Sequence, residues 1–152
     1  MARKDKDQWE YGDFQTPLKL AESAVRALRR FKIKPKSVLE PTCGKGAFLL
    51  AAIKTYPEAM RFVGIDINKQ YIYELQNQTH LSQRRDVIDL QCGDFFCFDW
   101  RALLDDMPQP ILIVGNPPWV TSSELGLLAS ANIPKKSNFQ ERPLWCSRDW
   151  SG

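Results

Sequence analysis

Four short runs rich in apolar and β-branched residues, at 37–40, 61–65, 87–91 and 111–114, alternate with stretches of helical spacing. No other feature constrains the fold as strongly. Each run is too short for a helix and is bounded by turn residues, which reads as a buried strand. Strands that alternate with helices predict parallel βαβ units, hence an α/β fold built on a parallel sheet. The first helix is expected to start with Thr16 as N-cap and Pro17 at its first position. Leu20, Ala24, Val25, Leu28 and Phe31 would mark its inward face. Lys34-Pro35-Lys36 ends it. Further helices are predicted over 47–54, over 69–78 with Tyr71, Ile72 and Leu75 inward, and over 100–105.

A polar residue stands just past each run: Glu40, Asp66, Asp94 and Asn116. In open parallel sheets, ligands bind outside the carboxyl ends of the strands. The turn Glu40-Pro41-Thr42-Cys43-Gly44-Lys45-Gly46 joins strand to helix, and its glycines let another group approach the backbone closely. It lacks the third glycine of the dinucleotide fingerprint and the Lys-Ser/Thr pair of a P-loop. Asp66, with Ile67 beside it, lies 22 residues after Gly44, near the spacing at which an acid meets ribose hydroxyls. Asp94, in Gly93-Asp94-Phe95-Phe96, is suited to accept from an adenine amino group while Phe95 packs on the ring. At least one of Phe95 and Phe96 is expected in the core. A nucleoside without phosphates fits this set better than a nicotinamide dinucleotide, because acids stand where phosphate-binding glycines would be.

The last strand leads into Asn116-Pro117-Pro118-Trp119. The prolines can neither extend a sheet ladder nor continue a helix. The Asn116 side-chain oxygen and the Pro117 carbonyl are placed to accept from one amino group, with Trp119 offering a stacking surface. These parts suit a planar heterocycle that carries an exocyclic amine.

The bulk numbers leave these readings open. The net charge of +3 and pI near 8.7 permit a nucleic-acid partner without arguing for one. The charged start carries no signal peptide, and the longest apolar run, 47–53, is too short to span a membrane, so no membrane association and a cytoplasmic location are expected. Cys43, Cys92, Cys97 and Cys146 show no metal-ligand spacing and His80 is the single histidine. No metal site is expected, and reduced thiols are.

Taken in order, Phe14-Gln15-Thr16-Pro17, the turn from Glu40 to Gly46, Asp66, Asp94-Phe95 and Asn116 to Trp119 resemble the adenine-specific amino class of S-adenosylmethionine-dependent DNA methyltransferases of restriction-modification type. The resemblance covers residues 12–119. It implies a Rossmann-like class I methyltransferase fold. It implies that Phe14, Gln15, Thr16 and Pro17 hold the methionine end of S-adenosylmethionine. Glu40, Pro41, Cys43, Gly44 and Gly46 would lie under that moiety, Asp66 and Ile67 at the ribose, and Asp94 and Phe95 at the adenine. Asn116, Pro117, Pro118 and Trp119 would orient the amine of a flipped adenine in DNA, with Asn116 also bordering the cofactor. No nucleophilic cysteine is needed, so Cys43 and Cys92 are read as packing residues.

The family's sheet has seven strands and only four are placed here. The expectation is a catalytic domain over 13–140, truncated after its fourth strand, which stands at an edge. It would be preceded by a flexible charged arm at 1–12, followed by an atypical tail at 141–152, and lack a target-recognition domain. A split or frame-shifted product with a downstream complementary subunit is one form of that expectation. Lys135-Lys136 reads as solvated surface rather than a phosphate contact. A methyltransferase acting on RNA bases or on protein glutamine, and a silent cofactor-binding remnant, remain as alternatives.

Overall fold

β1 (Ser37–Glu40) is buried at every position, and the other elements are arranged around it. In the computed structural model, residues 15–78 and 84–117 are described, and they fall within one unit, Gln15–Pro117. β1 pairs in parallel with β2 (Arg61–Asp66), and β2 in parallel with β3 (Ile88–Cys92). On its other side β1 pairs in parallel with β4 (Ile111–Ile113). The order β3-β2-β1-β4 means that the chain winds outward from β1 and then crosses back to its far side. The expected parallel α/β fold is therefore present, and β4 stands at an edge of the described sheet.

Helices α1 (Leu18–Arg30), α2 (Ala47–Thr55), α3 (Lys69–Gln76) and α4 (Trp100–Asp106) cover both faces. Strand alternation sorts the core. Val38 and its register partner Phe62 turn to one face and pack with Ala21, Val25, Leu49, Ala52 and Tyr56. Leu39, Val63 and Ile65 turn to the other and meet Leu103 and Met107. Each such side chain contributes about 1.5–3 kcal/mol when fully buried, so neither face could be left uncovered. Ser37 is the polar exception at the start of β1. Its hydroxyl donates to the Pro108 carbonyl at 2.8 Å, which satisfies it inside the core.

Several local expectations are corrected. Helix α1 begins one residue later than expected. Pro17 is its N-cap, with no side-chain cap, and its carbonyl accepts from Leu20 and Ala21. Val25 is buried as expected and Leu28 half-buried, with Ala21 joining them, while Leu20 is 60% and Phe31 77% exposed and Ala24 is exposed too. Two apolar stripes run side by side on this helix, and the one with the smaller residues packs on α2. Tyr71 is only half-buried, whereas Ile72 and Leu75 are buried. Neither Phe95 nor Phe96 lies in the core. Phe98 packs on the core instead, with its ring where a Cβ on Gly93 would be 2.6 Å away. Cys92 is exposed rather than packed.

Helix α1 ends in a Schellman turn. The Ile33 amide donates to the Leu28 carbonyl at 3.2 Å and the Lys32 amide to the Arg29 carbonyl at 3.0 Å. This turn places Lys32 at φ 62, the left-handed conformation normally given to glycine. Left-handed backbone costs an L-residue about 1–2 kcal/mol, and glycine returns part of that gain through a more flexible unfolded chain. Lys32→Gly should therefore raise unfolding stability by about 0.5–1 kcal/mol, read by urea titration. A loss of stability would mean that the lysine side chain holds the turn through interactions of its own.

Candidate functional site

The four polar residues that follow the predicted strands all stand at the carboxyl edge of one sheet. Glu40 ends β1, Asp66 ends β2, Asp94 follows β3, and Asn116 follows β4. The strand order reverses between β1 and β4, and such a switch point is where open α/β sheets take ligands. A Cβ on Gly115 would lie 3.6 Å from the Glu40 Cγ and 3.7 Å from the Pro41 Cδ. Asn116 and Pro117, both exposed, follow directly from that close approach.

Glu40 is 2% exposed, and its Oε2 accepts from the Leu49 amide at 2.7 Å. Gly46, the N-cap of α2, has no side chain with which to cap the helix. Glu40 supplies that cap from the neighbouring strand. Burial pushes its carboxyl up to about 8, against the pull of the Leu49 and Phe48 amides, and Asp66 raises it further. At neutral pH Glu40 is therefore mostly a neutral acid that can both donate and accept. Burial also pushes up the thiol of Cys43, which is 4% exposed and packs with Ile72 and Leu75, so it is no nucleophile.

Asp66 locks the turn. Its Oδ2 accepts from the Gly44 amide at 2.7 Å and its Oδ1 from the Asn68 amide at 2.8 Å. Asn68 in turn caps α3, accepting from the Gln70 amide at 3.0 Å. The other donors of the turn are spent as well. Cys43 donates to the Ile65 carbonyl at 2.8 Å, Gly46 to the Cys43 carbonyl at 2.7 Å, and Lys45 to the Gln15 Oε1 at 2.9 Å. A phosphate needs unspent amides in such a turn, and this one offers none from Cys43 to Gly46. Asp66 thus stands at the carboxyl end of β2 with both oxygens turned to the backbone of the turn and of the α3 start.

Both glycines of the turn need their positive φ, 50 at Gly44 and 76 at Gly46. The space beside them is filled from within the protein. A Cβ at Gly44 would come within 2.6 Å of the Gln15 Oε1, and one at Gly46 within 2.6 Å of the Leu75 Cδ2. Gln15 is thus seated on the glycine turn, a contact the sequence places in the same site but does not specify. Thr42 carries no sequence signal of its own, since no spacing rule flags it. Its buried Oγ1 has no hydrogen-bond partner among the described residues.

Asp94 closes a tight turn, its Oδ1 accepting from the Phe96 amide at 2.9 Å. Phe95, 37% exposed, lies edge-on to Phe96 at 5.2 Å and against Trp100 at 5.3 Å between centroids. Ile67 is 46% exposed at the end of β2. The Gly93 amide donates to the Asp66 carbonyl at 3.0 Å, which joins these two strand ends. Thr16 and Pro17 stand next to Gln15, at the start of α1. Phe14, Pro118, Trp119, His80, Lys135 and Lys136, like the arm at 1–12 and the tail at 141–152, lie outside the described residues. Among the described residues, no helix is long and apolar enough to cross a membrane, and no cluster of three metal-ligating side chains occurs.

No family model matches the chain. It is 42% identical over 137 residues to the type II methyltransferase M.NspV of a Nostoc species, covering 90% of this chain and 28% of that protein. To the type II methyltransferase M.CvrRI of Paramecium bursaria Chlorella virus XZ-6E it is 28% identical over 116 residues, covering 76% of this chain and 26% of that protein. The chain thus spans about a quarter of the length of the curated relatives it matches. Among solved structures, a proposed RNA methyltransferase from Pyrococcus horikoshii superposes with a TM-score of 0.54 at 16% identity, covering 69% of this chain and 48% of that one. The methyltransferase domain of a bacterial Hen1 gives 0.51 at 15% identity, covering 74% and 58%. These two likenesses concern the fold, which is the Rossmann-like class I methyltransferase fold.

The Glu40 carboxyl gives a test of the turn. Its ordinary value of 4.5 is raised to about 8 on folding. The folded chain then holds a proton that the unfolded chain releases, so the Glu40 contribution is complete below pH 4.5 and is lost as pH rises through 8. Glu40→Gln keeps an oxygen for the Leu49 amide and removes the titration. Between about pH 5 and about pH 8.5 the wild type should lose more stability than Glu40→Gln. Equal losses in urea titrations at both pH values would show that Glu40 does not carry the proton.

Proposed function

We propose, from the premise that this chain is homologous to a part of the type II methyltransferases, that it binds S-adenosylmethionine and serves methyl transfer to the 6-amino group of adenine in DNA. One observation carries the reading: the reversal of strand order between β1 and β4 brings Gly115, the residue before Asn116, against Glu40 and Pro41. The donor chemistry fits the cofactor. A turn with its amides spent suits a ligand without phosphates, and Asp66, the acid at the carboxyl end of β2, is the group that would accept from the two ribose hydroxyls. The exposed Ile67 and Phe95 offer apolar surface to the adenine ring, with Asp94 near it as acceptor. Thr42 Oγ1 is a buried hydroxyl in the same turn that lacks a partner among the described residues.

When bound, the cofactor supplies an electrophilic methyl group on a sulfonium. The chain's own residues position the acceptor. The Asn116 side-chain oxygen and the Pro117 carbonyl accept the two hydrogens of the target amine, which orients its lone pair and favours the positive charge that develops on nitrogen. Trp119 would stack on the extruded base. A glutamine amide or an RNA base presents the same amino group. The order of motifs, with Gln15-Thr16-Pro17 ahead of the glycine turn, favours DNA.

Titration calorimetry with S-adenosylmethionine tests the cofactor half. Asp66→Ala should weaken binding by about 2–4 kcal/mol, the sum of two charge-assisted bonds, and unchanged affinity would remove the ribose assignment. Tritiated-methyl transfer to mixed-sequence DNA, RNA and a glutamine peptide tests the acceptor half. Asn116→Ala should abolish transfer and leave cofactor affinity within about threefold. Activity within about tenfold of wild type, or about 1.4 kcal/mol of barrier, would place the grip elsewhere.

A further inference from the structure

Residues 26–36, Arg-Ala-Leu-Arg-Arg-Phe-Lys-Ile-Lys-Pro-Lys, carry six cations and no acid, in a chain whose net charge is only +3. The segment runs from the last turns of α1 to the start of β1, the end of the sheet opposite Glu40, Asp66, Asp94 and Asn116. Two of its cations are spoken for. Arg29 pairs with Glu58, and Arg26 lies 3.7 Å from Glu22. Arg30, Lys32, Lys34 and Lys36 are exposed, and among the described residues none forms a salt bridge, though Lys34 stands near enough to Glu58 to help hold its carboxyl down. Phe31 is 77% and Ile33 42% exposed among them.

The segment is also built, rather than merely charged. The two bonds of the Schellman turn fix Lys32 and Ile33 against α1, and the Lys36 amide donates to the Pro110 carbonyl at 2.8 Å. Pro35 is buried between two exposed lysines and anchors their backbone. At the bend stands a lysine at φ 62 where glycine would relieve the strain. Non-glycine residues in this region cost folding energy and concentrate at functional positions. Here the strained residue is one that keeps a charge in the middle of the cluster.

We propose that this knuckle, Arg30, Phe31, Lys32, Lys34 and Lys36, is a second nucleic-acid contact, one that grips the phosphodiester backbone away from the methyl-transfer site. Four exposed cations on a fixed backbone suit a row of phosphates, and an exposed ring between them suits a sugar or an unstacked base. β1 spans four residues, roughly 13 Å at the usual rise, so the knuckle and the strand-end site sit at opposite ends of the sheet. The contact carries no base information. It would hold the chain on nucleic acid without choosing a sequence, and it does not depend on what the strand-end site methylates.

Fluorescence anisotropy with a mixed-sequence labelled duplex and with a single strand, across about 50 to 200 mM salt, measures this binding on the full chain. Removing one cation that pairs with a phosphate should reduce the slope of log K against log salt by about 0.9 on duplex and about 0.7 on single strand. The Lys32→Gly, Lys34→Ala, Lys36→Ala triple variant should engage about two to three fewer phosphates and bind at least about tenfold more weakly at the low-salt end. S-adenosylmethionine affinity should stay unchanged, which separates this result from failure of the strand-end site. An unchanged slope in the triple variant would overturn the proposal. So would equal, variant-sensitive binding of a polyglutamate peptide, which would make the knuckle a docking face for acidic polypeptide.

Discussion

The bond from the Gly44 amide to the Asp66 carboxylate holds the ends of β1 and β2 in one piece. It is charge-assisted and part-buried, the kind of hydrogen bond that contributes most. Asp66 uses its other oxygen on Asn68, and Asn68 caps α3. Leu75 of α3 then reaches back to fill the space beside Gly46. Turn, strand end and helix start are therefore one closed circuit. Glu40 performs the matching task for α2, so two helices are anchored by carboxyl groups that the sequence suggests only as ligands.

That double duty separates what is legible in the sequence from what is not. Strand positions are legible because a parallel sheet buried on both faces needs continuous apolar runs, and Val38-Leu39 and Phe62-Val63 supply them. The register of Glu40, Asp66, Asp94 and Asn116 at one edge follows from the parallel topology alone. Their hydrogen-bond partners do not. Spacing shows that Asp66 comes 22 residues after Gly44, but not that its oxygens accept from backbone amides before any ligand arrives. The seat of Gln15 over Gly44 is likewise a tertiary contact with no local signature.

Misreadings on α1 have one cause. Period 3.6 identifies an apolar stripe but does not choose between two neighbouring stripes. Val25 is inward as the pattern predicts, but Leu20, Ala24 and Phe31 are not, and Ala21 lies beside Val25 in the core because its small side chain lets the helices and sheet approach. Similar competition moves the core aromatic from Phe95 or Phe96 to Phe98. Once Gly93 ends the strand, the next ring that can swing back over Ile65 belongs to Phe98. The helix start shifts at Pro17 because proline's own carbonyl accepts the first helical bonds.

The position of β4 has a consequence for the order in which the chain assembles. β1 meets β2 after a short connection, and β2 meets β3 soon after, but β1 meets β4 only when Ser37 finds Ile111, far along the chain. Closing a loop of that length costs more entropy than closing the shorter ones, and long-range pairing slows folding. Among the described strands, the entropy of loop closure therefore favours completing the edge that seats Glu40 and Asp66 before β4, which leads to Asn116, pairs with β1.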